Sequence, residues 1–148
     1  MAREAIPTWF YAMVVVRQGE RFLALREASH GQGWYLPAGR CEAGERLTEA
    51  AVRECLEETG VPVVLDGVLR VEHGVHGWGA KVRVFFTARP AANTPPKTVA
   101  DEHSLEARWV TLDELARLPL RHPEVLEVFR AAAAGAPVAP LSVLREAD

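Results

Sequence analysis

The chain has 148 residues, enough for one domain with a real core, and its 49% hydrophobic and 25% charged residues are those of an ordinary soluble globule. A net charge of −3 gives no electrostatic reason to bind a long nucleic acid, and no stretch approaches the ~20 apolar residues of a membrane span. The two cysteines, Cys41 and Cys55, form neither a disulfide framework nor a CxxC pair, and the leading MAREAIPTWF lacks an apolar run of signal-peptide length, so a reducing cytoplasm is the expected compartment.

In chain order, Tyr11 to Val16 is an apolar run and Gln18-Gly19-Glu20 a turn. Arg21 to Arg26 alternates, so the two predict a hairpin. Trp34 to Leu36 predicts a short strand, stopped by Pro37 and Gly39. A helix is expected from about Thr48, as N-cap, to Thr59, ended by Gly60 and Pro62. Ala51, Val52, Cys55 and Leu56 read as its apolar side, roughly opposite its carboxylates. Val63 to Glu72 and Lys81 to Ala88 predict strands joined through the Gly-rich segment from His73 to Ala80. Arg89 to His103 carries three prolines and reads as a long loop of the kind that is often functional. Ala107 to Val110 predicts a strand, and Leu112 to Leu118 and Pro123 to Ala133 predict helices. The Ala/Pro-rich tail from Gly135 is expected to wrap the surface or hang loose. The mixture, without regular βαβ alternation, predicts an α/β fold of mixed α+β type: a central mixed sheet with helices on both faces.

The richest segment is Gly39 to Val61, GRCEAGERLTEAAVRECLEETGV. A helix turns about 100° per residue, so Glu54, Glu57 and Glu58 share one stripe. Like charges at that spacing repel by a few tenths of a kcal/mol per close pair, roughly. A cation relieves them, and hard carboxylate oxygens suit Mg²⁺ or Mn²⁺. Without a cation the stripe would be an ordinary solvated helix face.

The spacing Gly39, five residues, Glu45, seven residues, then Arg53-Glu54-Cys55-Leu56-Glu57-Glu58-Thr59-Gly60-Val61 resembles the box of the Nudix hydrolase superfamily, whose best-known branch is the MutT type. Cys55 is the loose position, where a larger aliphatic residue is usual. The resemblance implies a Nudix fold: an α/β/α sandwich with a loop-helix-loop catalytic motif, residues 1–148 forming one domain and 135–148 a C-terminal extension. It also implies Mg²⁺- or Mn²⁺-dependent hydrolysis of a nucleoside diphosphate linked to another group. Glu57 and Glu58 would be the main metal ligands, and Glu54 a further ligand or the base. Arg53 would pair with Glu45 and hold the loop, Gly39 would permit the tight loop, and the carbonyl of Ala38 would be a backbone ligand. A later loop would add a carboxylate; Glu102 is the candidate, with Asp101 as alternative and His103 in the other register.

A narrower resemblance points to the branch that acts on oxidised guanine nucleotides at the diphosphate level. Gly33-Trp34-Tyr35-Leu36-Pro37-Ala38-Gly39-Arg40, Ala100-Asp101 with Ser104-Leu105 before Trp109, and Leu120-Arg121-His122 carry it. The alternatives are ADP-ribose or another nucleoside-diphosphate derivative, and a Nudix-fold nucleotide-sensing module without catalysis. The resemblance also admits a homodimer. Trp34, Tyr35 and Trp78 are candidates to stack a base, with core packing as the rival role. Arg26 and Arg40 are candidates to hold phosphates, with surface ion pairs as the rival. His73 and His76 lie in a Gly-rich segment that argues against a metal pair.

Overall fold

The computed structural model describes residues 2–147. Its sheet contains strands β1 (Thr8–Gln18), β2 (Arg21–Glu27), β3 (Trp34–Tyr35), β4 (Ala38–Arg40), β5 (Val63–His76), β6 (Gly79–Pro90), β7 (Ser104–Val110) and β8 (Ala139–Pro140). Helices are α1 (Leu47–Thr59), α2 (Leu112–Ala116) and α3 (Glu124–Ala133). The main path runs β3-β2-β1-β6-β5-β8, with β4 on β1 and β7 on β2. Only β1 and β6 pair in parallel among these strand pairs of the described residues, so the sheet is mixed.

β1 organises the molecule because its alternate residues enter opposite cores. Ala12, Val14 and Val16 meet Ala50, Ala51 and Cys55 of α1. Met13 and Val15 meet Leu115 of α2 and Val125, Val128 and Phe129 of α3. The result is the α/β/α sandwich. The hairpin of β1 and β2 is short, paired only at Arg17↔Phe22 and Gln18↔Arg21. Further down, β1 takes β4 as its partner at Tyr11, Ala12 and Met13.

Several expectations need correction. Pro37 and Gly39 do not end strand structure, because β4 follows directly. Proline costs no ladder bond there: the Pro37 carbonyl accepts from Val14 N–H at 2.9 Å. The N-cap of helix α1 is Arg46, two residues before the expected Thr48, and it makes no side-chain cap; Thr48 lies inside the helix. Val52 and Leu56 are 37% and 50% exposed, so they are not its core face. The buried residues are Ala50, Ala51, Cys55 and Thr59, which puts the core stripe beside the carboxylates rather than opposite them. The Gly-rich segment is not a separate linker, since β5 and β6 stay paired to His76↔Gly79. The tail is anchored: β8 pairs with Gly67 and Val68, and Leu141 and Leu144 pack on the α1-side core.

Candidate active site

Two features position the carboxylate stripe. Gly60, at φ +75°, ends α1 in the left-handed conformation and donates to the Leu56 carbonyl. Beyond it, Lys97 Nζ donates to the Glu57 carbonyl at 3.1 Å and Lys97 N–H to the Thr59 carbonyl at 2.8 Å. Buried Ser104 donates to the Glu58 carbonyl at 2.6 Å. The loop after β6 therefore satisfies carbonyls that a helix C-terminus leaves open.

Arg53 gathers the acidic groups. Its Nε and Nη2 donate to both oxygens of Glu45, at 2.6 and 2.9 Å. Its Nη1 donates to Glu54 at 2.8 Å and to Glu57 at 3.2 Å, and Nη2 reaches the Arg40 carbonyl at 3.3 Å. These bonds to Arg53 hold the Glu45 carboxyl below the usual carboxylate range. Glu54 lies against Gly39, where any Cβ would overlap its carboxyl group. Glu58 accepts from the Ala38 backbone N–H at 2.8 Å. Burial pushes the Glu54 carboxyl up, against the pull of Arg53. Burial pushes Glu58 well up, helped by the charges of Glu54 and Glu27.

This donor set fits a hard divalent cation. It offers three oxygen ligands on one face, and two of them carry their charge at a cost in burial that a cation would remove. Among the described residues no group of three or more acidic, His or Cys side chains is already arranged to hold a metal ion. Mg²⁺ does not require a closed cage, because it keeps several of its waters.

The late loop is divided. Asp101 is occupied with the loop itself, accepting from Lys97 Nζ at 2.6 Å and from the backbone of His103 and Ser104. The Lys97 bond, with the backbone bonds, holds its carboxyl down at about 2. The Glu102 side chain is 86% exposed and reaches His103 at 3.4 Å. His103 is the group nearer the stripe, with Nδ1 3.8 Å from Glu57.

Beside the stripe, on the α3 side of the sheet, lies an open cleft of about 450 Å³. Tyr11, His30, Tyr35, Gly39, Lys81, Arg83 and Arg121 line it, with Met13 and Ala38 beneath. Arg83 is held by Glu72 and by Glu124, the latter at 2.8 and 2.7 Å. Tyr35 donates to Glu124 as well. These bonds, Arg83 first, bring the Glu124 carboxyl down to about 2, and burial with Glu124 raises the Tyr35 hydroxyl. Each of Arg83 and Arg121 thus faces carboxylates, and the floor is nearly neutral between two aromatic rings. Lys81 has no ion pair among the described residues and stands 5.8 Å over Tyr11.

Of the site residues expected from sequence, Tyr35, Ala38 and Gly39 line this cleft. Trp34 is 2% exposed, packed in the core under Arg108. Trp78 stacks on His76 at the far turn of β5 and β6. Arg26 pairs along the strand with Trp34 and Glu106, away from the cleft lining. Arg40 is exposed and lies 4.2 Å over Trp9. Sequence reading missed Tyr11, His30, Lys81, Arg83 and Glu124, and it marked Arg121 only as part of the narrower resemblance, without a role in the site. A signal existed for two: Lys81 and Arg83 alternate with Val82 and Val84, which puts two cations on one strand face.

The NUDIX domain model matches residues 9–131. The chain belongs to the Nudix family. The 8-oxo-dGDP phosphatase NUDT18 of Homo sapiens is 36% identical over 123 residues, which cover 81% of this chain and 37% of that protein. The chain therefore spans little more than a third of the NUDT18 relatives it matches. Phosphatase NudJ of Shigella boydii is 34% identical over 125 residues, covering 80% of this chain and 78% of NudJ. A Nudix hydrolase structure from Nitrosomonas europaea superposes with a TM-score of 0.80 at 24% identity, covering 95% of this chain and 98% of that one. That structural likeness supports the Nudix sandwich described above.

Proposed function

We propose that this Nudix chain is a divalent-metal-dependent hydrolase that cleaves the diphosphate linkage of a nucleoside diphosphate derivative, with oxidised guanine nucleotides as the leading substrate class. One observation carries the reading: Gly39 belongs to both halves of the site. On one side it packs on the Glu54 carboxyl; on the other it lines the cleft. A diphosphate crossing Gly39 would place a nucleoside in the cleft and its phosphates at the acidic stripe. The names of the NUDT18 and NudJ relatives, both phosphatases, support hydrolysis at a phosphoryl group, and the NUDT18 name supports the oxidised guanine class.

Glu57 and Glu58, with Glu54 and the Ala38 carbonyl, would hold Mg²⁺ or Mn²⁺, and His103 or Glu102 would close the set from the late loop. The cation supplies neutralisation of the diphosphate oxygens and activation of the attacking water. Glu54, with its raised carboxyl pKa, is suited to orient a water and accept its proton. Arg53 and Glu45 keep the stripe and loop in one geometry. Arg40, the next residue beyond Gly39, extends toward solvent where phosphate oxygens would emerge. Tyr11 would offer an aromatic face to a base, worth roughly 1–3 kcal/mol when stacked, while Tyr35, nearly buried beneath the Arg121 guanidinium, would back that wall. Both cysteines are free thiols, which supports a cytoplasmic setting.

The test is a panel of 8-oxo-dGDP, dGDP, 8-oxo-dGTP, ADP-ribose and dinucleoside polyphosphates with MgCl₂, scored by released phosphate and monophosphate. The expected result is turnover, led by the oxidised diphosphate. A folded protein that turns over no member would refute the enzyme reading. Preference for ADP-ribose would replace the substrate class alone.

A further inference from the structure

Glu27 is a buried carboxylate that the mechanism above does not use. It ends β2 at the bulge where the pairing with β7 shifts, and it is 7% exposed. A buried charge persists only where it is paired. Both of its partners line the cleft: Arg121 Nη1 donates to one oxygen at 2.7 Å, and His30 Nδ1 lies 3.1 Å from the other. The same His30 nitrogen is 2.9 Å from Ser29 Oγ.

The surroundings are built around this carboxylate. The Glu27 backbone N–H donates to the Gly33 carbonyl at 3.1 Å and closes the intervening loop. Within that loop His30 and Gln32 hold φ of +54° and +58°. Such a left-handed conformation is unfavourable for a non-glycine residue and persists when neighbours enforce it. From the other side, Arg121 N–H donates to the Trp34 carbonyl at 2.9 Å, and the Arg121 guanidinium sits 4.8 Å from the Tyr35 ring centre. That approach requires glycine at 33, where a Cβ would overlap the Arg121 backbone. Two segments remote in sequence therefore converge on one carboxylate.

We infer that Glu27 is a positioning residue for the nucleoside end of the substrate. One carboxylate fixes both His30 and Arg121, and so sets the width of the cleft and the direction of its donors. Arg121 keeps N–H groups beyond the one given to Glu27. They are aimed at a base or ribose that presents acceptor oxygens. The inference rests on the proposed hydrolase reading and assigns Glu27 to substrate recognition rather than to the cation.

The experiment uses the panel member that the wild type hydrolyses best. Glu27→Gln, Arg121→Gln and the double variant are compared for kcat, KM, half-saturating Mg²⁺ and Tm. Glu27→Gln keeps shape and an acceptor but loses the charge. Its KM should rise about tenfold while kcat and half-saturating Mg²⁺ stay within about twofold. The double variant should have a KM no higher than the worse single variant, because the two side chains act as one unit. An unchanged KM with lowered Tm would reduce Glu27 to a structural ion pair and overturn the inference. So would fully additive effects, or a raised half-saturating Mg²⁺ with KM unchanged. A wild type inert toward the whole panel would remove the hydrolase reading, and this inference with it.

Discussion

The acidic stripe and the cleft meet at Gly39 but are built in opposite ways. The stripe comes from one continuous segment, Gly39 to Gly60, in which a loop and one helix carry every charged group. The cleft takes Tyr11 from β1, His30 from a loop, Lys81 and Arg83 from β6, and Arg121 from the segment before α3. The stripe is strongly acidic; Arg53 braces its carboxylates, and Lys97 holds the helix end behind them. The cleft floor balances its cations against Glu27, Glu72 and Glu124. A charge-rich half suited to a cation and phosphates thus adjoins a near-neutral aromatic half suited to a base. In such an arrangement the chemistry can stay fixed while the recognising half changes.

That contrast can be broken experimentally, beginning with the stripe. Glu57→Gln and Glu58→Gln should each lower kcat by about 100-fold or more while near-native Tm is kept, checked by steady-state assay and thermal melts. Wild-type kcat in either variant would separate the stripe from the chemistry. Gly39→Ala tests the junction. The new Cβ must displace the Glu54 carboxyl, so stability should fall by about 1–3 kcal/mol in urea titration, and kcat should fall with it. An unchanged kcat would mean that Glu54 need not lie where it does.

A smaller effect should mark the cleft. Glu124 has its carboxyl lowered from the ordinary 4.5 to about 2, chiefly by Arg83. A group depressed on folding contributes stability above its unfolded pKa and loses it as pH falls toward the folded one. Wild-type stability should therefore decline between about pH 4.5 and 2, and Glu124→Gln should flatten that decline. Urea midpoints at pH 5 and pH 3 measure it; an equal decline in the variant would contradict the pairing. Smallest of all, Trp78→Ala and Arg26→Gln should change KM by less than about twofold, since neither residue lines the cleft. A large rise in KM for either would enlarge the recognising half beyond the cleft.

The same contrast explains what the sequence could reveal. The stripe was legible because helical periodicity turns a local spacing into a face: Glu54, Glu57 and Glu58 needed no tertiary knowledge. The strands were legible from alternation, and their ends shifted by a few residues. Helix α1 differs from expectation at its N-cap and, more tellingly, in its inner face. Val52 and Leu56 look apolar enough for a core, yet packing gave the inner face to Ala50, Ala51 and Cys55, letting the carboxylates lie against β4. The cleft was mostly hidden because the parallel pairing of β1 with β6 joins Tyr11 to Arg83 across 72 positions. Aromatic type alone proposed Trp34, Tyr35 and Trp78, and only their places in the fold separate them: Tyr35 borders the cleft, Trp34 packs in the core, and Trp78 sits on the turn between β5 and β6. Glu27 and Glu124 carried no local mark, because a buried carboxylate is recognised by its partners.

The central claim is that Glu57 and Glu58 hold the divalent cation that serves hydrolysis. It is tested most directly by titrating MnCl₂ into the wild type and the Glu57→Gln/Glu58→Gln double variant, reading free Mn²⁺ by electron paramagnetic resonance beside turnover of the best panel substrate. The wild type should bind Mn²⁺ over the same range that restores turnover, and the double variant should do neither. Equal Mn²⁺ binding by the double variant would contradict the account.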